Sequence, residues 1–141
     1  MDRTFEVVVA RPPAEVFRWL FEDDKVPQWT SGLEEYEVLG ELGTGARIRQ
    51  TLEVSGTRRT FEEEILSFDP PTAAASRFTL EGIAVRSSFA LAPDGGTSAR
   101  VARTVSAKAE SFSARFLLPV VRSHLERKID ADLARLRELL S

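Results

Sequence analysis

The sequence predicts an α+β protein in which a curved, seven-stranded antiparallel sheet wraps around one long C-terminal helix, with two short helices after the first strand. Three observations predict it. An early strand, "RTFEVVVA", is cut short at once by Pro12 and Pro13. From Leu33 to Ala107, short strand-like segments then follow at regular spacing, each closed by Gly, Pro or Asp. The chain ends in a long amphipathic run, "SFSARFLLPVVRSHLERKIDADLARLRELL".

Each element has its own cause. Proline cannot donate to a sheet ladder but is welcome in a first helical turn, so Pro12 and Pro13 end the strand and open a helix. Val16 and Leu20 recur there at helical spacing, joined by Phe17 and Phe21, with Glu15 near the positive N-terminal end. "DDKVPQWTSG" predicts a second, shorter helix, broken by Pro27 and closed by Gly32. Six strands follow at about 33–40, 45–55, 57–68, 73–81, 83–92 and 97–107. The turns "GELGTG", "VSGT", "DPPT", "LEG" and "APDGGT" between them indicate an antiparallel meander. In the tail, Leu117, Val121, Leu125, Ile129, Leu133, Leu136 and Leu140 form one apolar stripe. Phe112, Phe116 and Val120 widen it in the first half, which predicts that this half faces the concave side of the sheet. Pro119 is expected to kink the helix or mark its start.

Composition bounds the function. The 141 residues suit a single domain, residues 1–141, with one sizeable core. A net charge of −3 without a basic stripe makes nucleic acid and anionic membrane poor partners. The absence of cysteine excludes disulfides and thiolate chemistry, and a single histidine, His124, excludes sites needing two imidazoles. No metal and no cofactor are therefore expected. The first ten residues, "MDRTFEVVVA", carry charges within a short apolar run and read as neither a signal peptide nor a spanning helix. A cytoplasmic protein without integral membrane association is the expectation.

The order of elements resembles the START-related helix-grip superfamily, also called SRPBCC, and within it the polyketide cyclase/dehydrase and lipid-transport branch. The likeness is carried by "RPPAEVFRWLFEDDKVPQW" after the first strand, "FEEEILSFDPP" at the end of the fourth and "LLPVVRSHLERKIDADLARLRELL" at the terminus. Together they cover nearly the whole chain in the right order. The resemblance implies a deep cavity between sheet and long helix that takes lipids, polyketides or other hydrophobic ligands. That superfamily shares no common catalytic motif, so no catalytic residue follows from it.

Strand alternation nominates the lining, because apolar neighbours two residues away betray a polar residue that points inward. Gln50 shares a face with Ile48 and Leu52, Glu63 with Phe61 and Ile65, and Arg103 with Val101 and Val105. Tyr36 shares one with Val38, while Phe78, Leu80, Val85 and Phe89 add apolar surface. Trp29 reads as a wall or lid of the groove or as an anchor for the short helix, Phe112, Phe116 and Val120 reach it from the tail, and His124, on the flank of the stripe, reads either as lining or as a surface or boundary residue. Glu63 and Arg103 could neutralise each other across the cavity, or one could meet a polar ligand group. A one-residue slip would instead turn Glu62 and Glu64 inward. The "ERKIDAD" run reads as a solvated helix face.

Three functions remain open. The first is noncatalytic binding or transport of a hydrophobic small molecule. The second is an aromatase/cyclase or dehydratase that uses Arg103, Glu63, Tyr36 or His124. The third is a cochaperone-like interaction module, which requires an exposed apolar patch outside the groove.

Overall fold

A computed structural model describes residues 2–54 and 56–141. Strand β1 (Asp2–Val9) leads into helix α1 (Pro13–Phe21), then six strands: β2 (Leu33–Leu39), β3 (Arg47–Val54), β4 (Thr57–Asp69), β5 (Ala73–Leu80), β6 (Ile83–Pro93) and β7 (Ala99–Ala109). Helix α2 (Ala114–Leu139) completes the fold. The strands form one antiparallel sheet in the order β1-β7-β6-β5-β4-β3-β2. Strands β2 to β7 are a simple meander, while β1 joins the far edge beside β7. The segment from α1 to β2 therefore crosses from one sheet edge to the other.

The second short helix proves to be a single 3₁₀ turn, Val26–Gln28. Pro27 has no N–H to give, and Gly32 ends the segment at φ +72°, so there is no room for a full α-helical repeat. Pro119 does not mark the start of the long helix: α2 begins at Ala114, and the proline lies within its second turn. It is exposed there, so water can take the carbonyl left without a donor.

The core lies between the concave sheet face, α1 and the C-terminal half of α2. Val9, Val16, Ile48, Ile65, Ile83, Val101 and Leu136 are almost wholly buried in it. Phe17, Phe21, Phe68 and Phe89 meet edge to face or tilted, with centroids 5.3–5.9 Å apart. The first half of α2 departs from expectation, because Phe112, Phe116 and Val120 point away from the sheet into solvent. The reason is a local anchor. Ala114 is buried, and a Cβ placed on Gly82, in the β5–β6 turn, would lie only 3.1 Å from the Ala114 Cβ. With Ala114 facing inward, Phe116 falls on the opposite helix face, and Phe112, in the turn before the helix, packs against it.

Candidate functional site

The cross-strand register brings the polar residues of the concave face together. Ile48 lies opposite Glu63, and Gln50 lies opposite Phe61. Gln50 is therefore a diagonal neighbour of Glu63, and its amide donates to Glu63 Oε1 at 2.6 Å. Across the other side of β4, Ser76 donates to Glu63 Oε2 at 2.5 Å. Glu62 and Glu64 face away, paired with Arg47 at 3.6 Å and Arg77 at 2.8 Å. Burial pushes the Glu63 carboxyl above the ordinary carboxylate range, against the opposing pull of Ser76, Arg103 and Gln50.

Arg103 lies directly opposite Phe89 in the β6–β7 ladder. Its guanidinium carbon sits 4.9 Å from the Phe89 ring centroid, and its Nε–H donates to Ser87 Oγ at 3.0 Å. Among the described residues, its two terminal nitrogens make no hydrogen bond and no ion pair within 4.0 Å. Burial lowers its pKa, and the charges of Glu63 and Asp132 work in the other direction. Tyr36 donates to the Phe21 carbonyl at 2.8 Å, and burial, with the Glu63 charge second, moves its phenol upward.

A third polar group comes from α2. Lys128 Nζ lies 2.6 Å from Asp132 Oδ2 and also donates to the Ser31 carbonyl at 2.6 Å. Asp132 Oδ1 accepts the Ser31 N–H at 2.9 Å. Both ends of one peptide segment after the 3₁₀ turn are thereby tied to one helix turn. Burial lowers the Lys128 pKa, with the Asp132 charge opposing it.

These groups line an inner cavity of about 90 Å³. Of the residues nominated from sequence, Trp29, Tyr36, Gln50, Leu52, Phe61 and Glu63 line it, as do Phe78, Val85, Phe89 and Arg103. Beside it runs an outer groove of about 240 Å³, lined by Leu80, Val120 and His124 among others. Leu52, Phe78, Leu125 and Lys128 belong to both spaces and form the neck between them. Ile48 and Val101 are wholly buried and reach neither space. Phe112 and Phe116 also lie outside both. Sequence reasoning missed Thr30, Ser87, Leu125, Lys128 and Asp132, all of which line the inner cavity. The Thr30 hydroxyl is buried there with no protein partner. Among the described residues, no group of three or more His, Asp or Glu side chains is arranged to hold a metal ion.

A curved antiparallel sheet closed over by a long C-terminal helix, with a polar-floored cavity between them, defines a helix-grip protein. The chain belongs to the polyketide cyclase/dehydrase and lipid transport family, whose pattern matches residues 3–141. Its fold is similar to that of the Zhui aromatase/cyclase from Streptomyces sp. R1128, with a TM-score of 0.83 and 18% identity over 99% of this chain and 93% of that one. A protein from Rhodobacter sphaeroides superposes with a TM-score of 0.76 at 20% identity, covering 99% of this chain and 91% of that one. Norcoclaurine synthase from Thalictrum flavum gives 0.70 at 16% identity, covering 100% and 96% of the two chains. At these identities the likeness is one of fold. No curated protein sequence matches the chain.

Proposed function

We propose that the chain binds a small, largely apolar molecule whose carbonyl or anionic end lies against Arg103. One observation carries this reading: a guanidinium that lines the inner cavity with its terminal N–H groups uncommitted. A cation held largely away from bulk water is costly unless something pairs with it, and among the described residues Arg103 forms no ion pair. The unpartnered Thr30 hydroxyl supports the same placement of a polar ligand group. The inner cavity is below the roughly 300–1,000 Å³ of drug-sized pockets, so it fits one end of a ligand whose remainder passes the neck into the outer groove.

The test is titration calorimetry with 2-naphthoate and with naphthalene as probes. Wild-type protein should favour the carboxylate, and Arg103→Met should remove that preference, lowering 2-naphthoate affinity roughly ten-fold or more, as expected for a lost charge-assisted contact. Equal preference in wild type and variant would overturn the assignment of Arg103.

A second reading, polyketide cyclisation or dehydration, is favoured by Glu63. A carboxyl held above its ordinary range, across the cavity from a cation and near a phenol, suits proton transfer. On that reading Glu63→Gln abolishes turnover of a poly-β-keto thioester while binding persists. Unchanged turnover in the variant would remove Glu63 from the role.

A further inference from the structure

The turn that leads into α2 and the first half of that helix carry an apolar ridge that the core does not use. Phe112, Phe116 and Val120 are 74%, 72% and 68% exposed, and Leu117 beside them is 44% exposed. The two phenylalanine rings pack on each other at 5.4 Å instead of on the body of the protein. Phe116 and Val120, spaced four apart, line up along the helix, and Phe112 joins them from the preceding turn.

The flanks of the ridge differ. On one side Lys108, Arg115 and Arg122 line a shared surface depression with Asp2 as its single acid. Among the described residues none of these three cations has an ion-pair partner within 4.0 Å. On the other side Leu117, Val120, Val121 and His124 line the outer groove, so the ridge borders its mouth. From Ser111 to Leu125 the sequence has no acidic residue at all, although the whole chain carries −3. The overall charge thus conceals a local basic, phenylalanine-rich segment.

We infer that this ridge seats the protein on an anionic lipid bilayer, with the groove mouth facing the acyl region. The ridge is convex and narrow, which suits shallow insertion between headgroups, with phenylalanines entering and arginines left at the phosphates. It is poorly suited to a second copy of the chain. A two-fold contact on this line would crowd together two copies of the Lys108, Arg115 and Arg122 flank, whose shared depression has Asp2 as its one acid. Two turns of one helix, at about 150–250 Å² for each fully buried aromatic ring, also fall short of the ~800 Å² per partner of a stable interface. No helix among the described residues is long and apolar enough to cross a membrane, and the contact proposed is peripheral. It concerns the outer surface alone and stands whether or not Arg103 meets a ligand.

The experiment is vesicle sedimentation of the whole chain, without added ligand. Vesicles of phosphatidylcholine alone are compared with vesicles that also contain phosphatidylglycerol. Wild-type protein should pellet with the anionic vesicles, weaken as salt rises, and stay in solution with phosphatidylcholine alone. Phe112→Ser/Phe116→Ser and Lys108→Glu/Arg115→Glu, all at exposed positions, should each lower the pelleted affinity roughly ten-fold or more with unchanged circular dichroism. Failure of wild type to pellet at low salt, or binding indifferent to either variant pair, would overturn the inference. A dimer abolished by the phenylalanine pair would overturn it too, because the ridge would then be a protein interface.

Discussion

Glu63 is the residue at which the proposed proton transfer and the stability of this fold would oppose each other. Its carboxyl is better protonated in the buried site than in the unfolded chain, whose ordinary value is 4.5. The sign follows from linkage. A carboxyl raised on folding lends its full stability below the unfolded pKa, and that contribution is lost as pH rises from there through the folded pKa. Glu63→Gln, which can keep the contacts to Gln50 and Ser76 through its own oxygen and amide, should therefore raise the thermal midpoint at pH 8 and change it little at pH 4. Midpoints measured across that range check it, and a variant less stable at pH 8 would show that the ionised form is the favoured one. The inward aim of Glu63 and Arg103 was legible from period-two alternation, since each has apolar residues two positions away on both sides. Thr30, Ser76 and Ser87 were not legible, because small hydroxyl residues suit either face of a strand or a loop equally well.

At the scale of the element, α2 shows where reading by periodicity succeeds and fails. Its second half buries Ile129, Leu133, Leu136 and Leu140, the stripe that the spacing dictates. Its first half turns Phe116 outward, beside Phe112 of the preceding turn, because Ala114, a residue with little weight in the pattern, seats against Gly82. Lys128 and Asp132 sit in a run that reads as solvated, yet their side chains are only 15% and 4% exposed, because the Ser31 segment folds over them. The ion pair has the i,i+4 spacing of a surface pair, so nothing local distinguishes it from one. Asp132→Leu should leave Lys128 buried without its partner and cost about 3–5 kcal/mol. The double variant Lys128→Met/Asp132→Leu should recover part of that loss. Urea unfolding of both and of Lys128→Met measures this, and a double-variant cost equal to the sum of the two single costs would mean that the side chains act independently.

At the scale of the whole molecule, the seven strands and the meander were readable because every turn carried its own Gly, Pro or Asp, whereas the pairing of β1 with β7 has no local signal and the register lay open to a one-residue slip. The division of the interior into two spaces was not readable, since it depends on four residues from three elements meeting at one neck. Phe78 on β5 is the largest of them, stacked on Phe61 with centroids 4.5 Å apart. It separates the charged inner cavity from the apolar groove that opens beside the α2 ridge. On the binding function proposed above, a ligand that enters along the groove passes this ring, with the neck governing entry and Arg103 retention. Phe78→Ala should therefore speed association of 2-naphthoate, followed in stopped flow through tryptophan emission from Trp29, with dissociation accelerated as well. Because the ring is only half-buried, the stability cost should fall below the ~3–5 kcal/mol typical of a fully buried Phe→Ala change. An unchanged association rate would mean that ligand reaches Arg103 by another path, and the outer groove would then have no part in binding.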